Sequence, residues 1–182
     1  MLRKDFFLIA LNKPKGVICT HKDEKNRTRI YDLLPKSLIK HFDGNIHSVG
    51  RLDFNSQGLI LLTNNKKVKN YFEKPESKII RIYKAKVQGH LTNNHLNQIK
   101  EGIFVKKIKY KVVSIVLIKQ TKTYSWVKII LNEGKNKHIR KIFKKFGFTV
   151  TKLIRLQYGP YKLSTLNTGQ IKWLNLNKSN FT

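Results

Sequence analysis

Residues 49–63 read Val49-Gly50-Arg51-Leu52-Asp53-Phe54-Asn55-Ser56-Gln57-Gly58-Leu59-Ile60-Leu61-Leu62-Thr63. A short loop that holds an arginine and an aspartate leads directly into a strongly apolar run. Apolar side chains at every position from Leu59 to Leu62 point to both faces of a strand, which predicts a place in the middle of a sheet. We therefore expect an acid in a tight, glycine-flanked loop beside a buried central strand.

Working outward, the periodicity of the remaining chain predicts more strands than helices. We expect strands at residues 6–11, 17–20, 58–63, 79–87, 109–118, 123–132 and 148–158, the last of these being the final strand. We expect helical segments at residues 29–34, after Asn65 with Val68, Tyr71 and Phe72 on one face, at 92–100 and at 136–146. Many of the strands are neighbours in sequence. The predicted fold class is therefore α+β, with a mixed, mainly antiparallel sheet flanked by helices.

Domain organisation follows from length and the absence of linkers. At 182 residues, the chain is long enough to form one well-packed hydrophobic core or two small lobes. We interpret residues 1–182 as a single domain, with a weak boundary near residues 64–78 where two lobes could share one sheet.

The charge of the chain is extreme. Thirty-eight Lys and Arg stand against 10 Asp and Glu, which gives a formal net charge of +28. Such an excess predicts a polyanionic partner, and nucleic acid is the usual one. A membrane surface fits less well, because no basic amphipathic helix gathers the charge. Compositional drift toward Lys, Asn and Ile is the alternative explanation for part of the lysine content.

The cysteine and histidine content of the chain argues against a disulfide and a metal site. The lone Cys19 excludes an internal disulfide and a cysteine-based metal site, and its apolar surroundings predict a buried thiol. The six histidines lack a His-x-x-x-His pair or an acidic cluster, so we expect no metal and no cofactor. No signal-peptide pattern or membrane-length apolar stretch occurs, which predicts a cytoplasmic protein without a membrane partner.

Asp53 and Arg140 are the first candidate pair. In an extended segment, Arg51 and Asp53 point the same way, although a loop aspartate often only caps a turn or forms an ion pair. On a helical wheel Arg140 lies about 60° from Phe143, at the edge of the buried stripe. From there it could bind a partly buried carboxylate in bidentate fashion, or it could merely snorkel to solvent. His138 borders the same stripe on its other side.

Tyr83 and Leu153 are candidates from strand faces. Tyr83 shares its face with Ala85 and Val87, so its half-buried ring could stack on a base or could simply lie at the core edge. Leu153 is the only apolar residue on its predicted face and could line a pocket or be a scattered surface residue. The opposite face, expected to serve the core, holds Phe148, Val150, Ile154, Leu156 and Tyr158.

Arginine is scarce in this lysine-rich chain, which makes its positions informative. Only seven residues are arginine against 31 lysines. Arginine makes planar two-point contacts that lysine cannot make. Four of the seven lie near the candidate residues: Arg51, Arg81, Arg140 and Arg155. Lysines 135, 137, 141, 144 and 145 are expected to form an outward basic face suited to phosphates.

Together these residues resemble the RsuA/RluB/RluE-type family of ribosomal RNA pseudouridine synthases. Four blocks, in order along the chain, carry the resemblance: Leu11–Val17; Gly50–Asp53 with Ser56, Gly58 and Leu59–Asn64; Arg81–Tyr83; and Glu133–Lys141 with Leu153–Arg155 and Gly159-Pro160. The match extends from about residue 7 to residue 175. It implies the pseudouridine synthase catalytic-domain fold.

The resemblance implies roles for three residues in catalysis. Asp53 is then the catalytic carboxylate, Tyr83 stacks on the target base and could take part in proton transfer, and Arg140 pairs with Asp53. The reaction breaks a glycosidic bond, rotates the base and joins its carbon five to the sugar. It requires no redox change, so a carboxylate suffices without a cofactor. The base must first leave its helix, which calls for an aromatic platform and a cationic groove.

The resemblance also implies substrate-binding residues. Leu153 packs in the uridine pocket, and Arg51 helps to hold open the site of a flipped nucleotide. Lys13, His138 and Arg155 fall within the matching blocks and are expected to bind the substrate as well. The chain departs from the family pattern at His138, which stands where Gln or Glu is usual. Many members carry an N-terminal RNA-binding domain. This chain resembles the shorter members or a truncated product, and we expect no such domain within it.

Three hypotheses follow for the function. The first is an RNA pseudouridine synthase acting on ribosomal RNA or a pre-ribosomal particle, as a monomer, with large-subunit RNA favoured. The second is a non-catalytic RNA-binding or ribosome-assembly protein of the same fold. The third is a metal-independent ribonuclease that uses Asp53 with His47 or His138. The first requires Asp53, Tyr83, Arg140 and Leu153 to meet at one cleft.

Overall fold

The computed structural model describes residues 6–175. The strands are β1 (Leu8–Lys13), β2 (His47–Val49), β3 (Gln57–Thr63), β4 (Arg81–Gln88), β5 (Ile103–Val105), β6 (Ile108–Tyr110), β7 (Ser114–Gln120), β8 (Tyr124–Leu131), β9 (Val150–Tyr158), β10 (Tyr161–Lys162) and β11 (Ile171–Trp173). The helices are α1 (Lys36–His41), α2 (Lys66–Glu73), α3 (Asn93–Glu101) and α4 (His138–Lys145), with 3-10 turns at Ile30–Leu33 and Pro75–Ser77.

One mixed sheet organises the molecule. Its order is β11-β1-β3-β9-β4-β8-β7, with β2 added to β3 and β10 added to β9, while β5 and β6 form a separate hairpin. The pairing of β3 with β9 is parallel, and the other pairings between these described strands are antiparallel. The prediction of an α+β fold with a mixed, mainly antiparallel sheet is confirmed. None of the helices in residues 6–175 is long and apolar enough to cross a membrane.

The central strand β3 separates two hydrophobic clusters. Ile60 and Leu62 pack into the larger cluster, whereas Leu59 and Leu61 pack into the smaller one with Val68 of α2. The side chains of these four residues of β3 are fully buried. The unbroken apolar run therefore predicted the position of this strand correctly, because burial on both faces removes the usual alternation.

Several predicted elements match and a few differ. Residues 92–100 and 136–146 are helical as expected, within two residues at each end. Residues 17–20 form no strand and contribute only an isolated bridge between Ile18 and Arg29. Helix α1 was not predicted, and β9 is not the final strand, since β10 and β11 follow it. Tyr71 does not share the buried stripe of α2: it is 47% exposed, because it lies about 100° around the helix from Phe72.

Strand β9 breaks its alternation twice, which corrects the faces predicted for it. Its register with β4 shifts between Lys86 and Val87 and again between Ile82 and Tyr83. Each shift inserts one extra β9 residue and reverses the side to which later side chains point. As a result Leu153 and Arg155 are buried, whereas Ile154 and Leu156, expected in the core, are partly exposed.

Gly58 allows β3 and β9 to approach each other closely. It pairs with Arg155 in the parallel register, and its φ of +103° lies in a region that side chains rarely adopt. A Cβ atom at this position would lie 2.4 Å from the carbonyl oxygen of Arg155. The glycine is thus required where the loop that bears Asp53 enters the sheet.

We expect Gly58→Ala to lower the free energy of unfolding by about 3 kcal/mol or more, because backbone strain adds to the clash with β9. Gly44→Ala is the matched control. Gly44 also has a positive φ, +70°, but nothing lies within 4 Å of its added Cβ. It should cost only about 1 kcal/mol. Urea unfolding of the two variants measures the difference, and equal losses would contradict the close approach.

Candidate active site

Lys13 and the segment after it form hydrogen bonds to the backbone of the loop at residues 50–56. The Lys13 ammonium, which has no exposed surface, donates to the carbonyl oxygens of Pro14 at 2.9 Å and Ser56 at 2.8 Å. The Gly16 N–H donates to the carbonyl of Phe54 at 2.9 Å. The thiol of Cys19, which is only partly buried, donates to the Leu52 carbonyl at 3.4 Å. The backbone on both sides of Asp53 is therefore fixed by the neighbouring segment.

The start of the same loop is held by an acid. The Gly50 N–H donates to Glu73 Oε1 at 2.6 Å, and Lys69 Nζ contacts Glu73 Oε2 at 2.6 Å across one turn of α2. Sequence reasoning did not select Glu73. Its spacing of four residues from Lys69, and the scarcity of acids in this chain, were the available signals.

Arg140 connects this loop to α4 and β9. Its Nη1 donates to the Val150 carbonyl at 2.7 Å, and its Nη2 donates to the Asn55 carbonyl at 3.2 Å. The remaining edge faces Asp53, with Nε 3.8 Å from Oδ2. The expected bidentate bond does not form, because the two terminal nitrogens are used by backbone carbonyls. The Asp53 carboxylate is left partly exposed, with 38% of its side chain accessible.

Asp53 and Arg140 lie on a cavity of about 520 Å³. Seven of the eight candidate site residues line it: Arg51, Asp53, Tyr83, His138, Arg140, Leu153 and Arg155. Lys13 does not line this cavity, since its ammonium is bonded to the backbone behind the loop. The structure thus brings the early loop, β4, α4 and β9 together, as the first hypothesis required. Arg81, Tyr158 and Gly134 line the same cavity but were not selected as site residues.

Tyr83 and Leu153 form an apolar part of the cavity wall. The two residues lie on the adjacent strands β4 and β9, where Tyr83 pairs with Arg155 and Ala85 pairs with Leu153. Such diagonal neighbours on one sheet face are within reach of each other's side chains. Tyr83 is 9% exposed and Leu153 is 7% exposed, so each presents only a small surface. This part of the wall suits the flat, weakly polar face of an aromatic ring.

Two buried guanidiniums lie deeper in the cavity. Arg155 donates from Nε to the Leu59 carbonyl at 2.6 Å, and Arg81 donates to the Phe72 and Ile79 carbonyls and to the Tyr158 hydroxyl. Both guanidinium carbons lie 4.8 Å from the Tyr158 ring centre. Neither arginine forms an ion pair with a carboxylate of residues 6–175. Their charges give the cavity a positive potential that favours an anionic ligand.

His138 begins α4 but is not a cation. Burial lowers the pKa of His138 to about 4, despite the Glu133 carboxylate 3.6 Å from Nδ1. Its ring packs edge-on against Tyr110, with 5.1 Å between centres. The ring is therefore a neutral group at the start of α4, and neither of its buried nitrogens has a hydrogen-bond partner among residues 6–175. Lys141 likewise turns inward and donates to the Tyr110 hydroxyl at 2.8 Å, which corrects its predicted outward position, whereas Lys135, Lys137, Lys144 and Lys145 are exposed.

Comparisons with known sequences identify relatives along most of the chain. The family model for RNA pseudouridylate synthase matches residues 7–145. An uncharacterized RNA pseudouridine synthase of Rickettsia typhi is 42% identical over 167 residues, which cover 88% of this chain and 63% of the relative. Ribosomal large subunit pseudouridine synthase B of Buchnera aphidicola subsp. Acyrthosiphon pisum is 38% identical over 157 residues, which cover 84% of this chain and 60% of the relative. The chain thus spans less than two thirds of the length of these two relatives.

Solved structures show the same fold. A crystal structure of a pseudouridylate synthase superposes with a TM-score of 0.81 at 25% identity, covering 96% of this chain and 72% of that one. A chain from an H/ACA RNP bound to a substrate RNA containing 2'-deoxyuridine superposes with a TM-score of 0.62 at 17% identity. The superposition covers 86% of this chain and 48% of that one. At that identity the second likeness concerns the fold alone.

The buried ammonium of Lys13 makes a pH-dependent contribution to stability. Burial lowers the pKa of Lys13 from 10.5 to about 8. Between these values the unfolded chain binds more protons than the folded one, so this group makes the free energy of unfolding rise with pH. Relative to Lys13→Met, the wild type should gain about 2 kcal/mol between pH 7 and pH 10. Urea unfolding at both pH values measures the gain.

Lys15→Met, which changes an exposed residue two positions away, is the control for this experiment. Its stability difference from the wild type should stay constant over the same pH range. A Lys13→Met difference that also stays constant would show that the ammonium is hydrated rather than buried.

Proposed function

This chain belongs to the RNA pseudouridylate synthase family, and we propose that its cavity converts uridine to pseudouridine in ribosomal RNA. The observation that carries the proposal is the meeting of Asp53, Arg140, Tyr83 and Leu153 around one positively charged cavity. The names of the relatives, which include ribosomal large subunit pseudouridine synthase B, favour large-subunit RNA. We propose that the protein acts in the cytoplasm as a monomer and that residues 6–175 form one catalytic domain.

Asp53 is the group that reacts at the sugar. The isomerisation breaks the bond between C1′ and N1, turns the uracil and joins C5 to C1′, after which C5 loses its proton and N1 gains one. A carboxylate can attack a carbon of the nucleoside or stabilise the cationic ribose, and both roles require it to be ionised and close to the sugar. The Arg140 guanidinium lies 3.8 Å from Asp53 Oδ2 and leaves the carboxylate accessible to a bound nucleotide.

The cavity can hold a nucleotide that has left its helix. Its volume of about 520 Å³ lies in the range of small-molecule sites. The uracil would lie against Tyr83 and Leu153, where stacking compensates for the base pair that is lost. Arg51, at the exposed rim, and the exposed lysines beside α4 are placed to contact the phosphates of the flanking nucleotides.

The positions of the histidines argue against a ribonuclease. Hydrolysis by Asp53 with a histidine needs an imidazole that can reach the scissile phosphate. Both ring nitrogens of His138 are buried, and the pKa near 4 leaves the ring unable to supply a proton at neutral pH. His47 does not line the cavity that contains Asp53.

We expect Asp53→Asn to abolish pseudouridine formation, lowering the rate by more than about 10⁴-fold, as loss of a nucleophile does in other enzymes. RNA binding should be retained or become slightly tighter, because one negative charge is removed from a cationic site. Release of tritium from RNA containing 5-tritiated uridine measures the reaction, and a filter-binding assay measures affinity.

Glu101→Gln, which removes one negative charge from an exposed position at the end of α3, is the matched control and should keep full activity. Turnover by Asp53→Asn within tenfold of the wild type would remove Asp53 from the chemistry. Lack of turnover by the wild-type protein on every ribosomal RNA fragment would contradict the proposed function itself.

We expect Arg140→Lys to lower kcat by about 10²-fold with little change in KM. A lysine cannot bond to Val150, Asn55 and Asp53 at once, so the acid shifts relative to the sugar. The control is Lys100→Arg, which exchanges the same two residue types at an exposed position of α3 outside both cavities and should leave kcat unchanged. Steady-state kinetics separates the two parameters, and a pure KM effect would assign Arg140 to RNA binding alone.

A further inference from the structure

A second cavity lies beside the first one and has no part in the proposed reaction. Its volume is about 530 Å³, and its lining includes Cys19, His21, Lys22, Tyr31 and His47. Ser48 and Lys69 line both cavities, so the two are neighbours that share a wall. We propose that this second cavity binds the base and phosphate of a nucleotide next to the target uridine. This inference rests on the proposed function and extends it to a second nucleotide.

Three aromatic rings gather in the second cavity. His21 stacks on Tyr31 with 4.1 Å between ring centres and 18° between planes, and His47 approaches His21 edge-on at 6.4 Å. Tyr31 is fixed from behind, because its hydroxyl accepts the Ser48 N–H at 3.3 Å. His21 is exposed, so it can offer its outer face to a further ring. Stacked aromatic side chains that end in an open ring face are the usual platform for a nucleic-acid base.

The surroundings of these rings are cationic. Lys22 and Lys69 line the cavity, although Lys69 is also paired with Glu73. Burial lowers the pKa of His47, and the charges of His21, Lys66 and Lys69 lower it further. The His47 ring is thus neutral at pH 7, and its Nε2 is buried without a partner among residues 6–175. Aromatic rings beside lysine ammonium groups match a base attached to a phosphate.

The chain geometry places this platform close to Asp53. The Cys19 thiol contacts both the carbonyl and the N–H of Leu52, at 3.4 and 3.5 Å. His21 follows Cys19 by two residues, which span at most about 7 Å, and Asp53 directly follows Leu52. A strand of RNA that delivers a flipped uridine to Asp53 therefore passes the rings of His21 and Tyr31 with an adjacent nucleotide.

The test measures the affinity of the full chain for a fluorescein-labelled oligouridylate by fluorescence anisotropy. This readout reports binding and does not depend on pseudouridine formation. His21→Ala should raise Kd by about five- to 150-fold, the range for loss of one base–aromatic stack. His21→Phe, which keeps a ring, should restore most of the affinity. The control His90→Ala, at an exposed histidine outside both cavities, should not change Kd. The slope of log Kd against log salt should stay the same in His21→Ala, because no phosphate contact is lost.

Photo-crosslinking gives an independent result. An oligonucleotide that contains 4-thiouridine should crosslink to His21 or Tyr31, as located by peptide mapping. The proposal is overturned if His21→Ala binds like the wild type, if His21→Phe fails to restore affinity, or if no crosslink maps to either residue. If these tests succeed while the wild-type protein forms no pseudouridine, the nucleotide site stands and the proposed activity falls.

Discussion

The guanidinium of Arg140 joins three parts of the molecule that are distant in sequence. It bonds to the carbonyl of Val150 at the start of β9 and to the carbonyl of Asn55 in the early loop, and it faces the Asp53 carboxylate at 3.8 Å. Two of these contacts are to backbone atoms, so the position of the charge is set by the fold and not by the acid. The Asp53 carboxylate therefore remains partly accessible beside a positive charge whose position the backbone fixes.

The electrostatics of the cavity follow from the unusual composition of the chain. With 10 acidic residues against 38 Lys and Arg, few carboxylates are available to neutralise buried cations. Lys13, Arg81 and Arg155 instead donate to backbone carbonyls. These bonds fix the cations in place, although Arg155 Nη2 has no hydrogen-bond partner among residues 6–175. They leave the charges uncancelled, which favours a polyanion at the open side. Asp53 is thus an accessible acid on a cavity whose buried cations are not neutralised by carboxylates.

Local patterns in the sequence predicted much of the fold. The apolar run after Gly58, the stripe of α4 and the alternation of β4 each depend on a single element, and each was confirmed. Strand β9 was different, because its two bulges arise from pairing with β4 and leave no trace in its own sequence. The burial of Leu153 and Arg155 could therefore not be deduced from strict alternation.

The candidate site was predictable to a similar extent. The meeting of loop, strand and helix was anticipated for Asp53, Tyr83, Arg140 and Leu153. The hydrogen bonds of Arg140 were not, because they involve backbone carbonyls whose direction only the folded chain defines. The aromatic cavity around His21 and His47 also escaped sequence reasoning, since its residues come from four separated segments.

The most direct measurement is a crystal structure of the Asp53→Asn protein bound to an RNA that contains its target uridine. The uracil should lie against Tyr83 and Leu153, with the side chain at position 53 facing the ribose and the Arg140 guanidinium still bonded to Val150 and Asn55. A target base that remains stacked in its helix, or that binds away from position 53, would contradict the central role given to this pair.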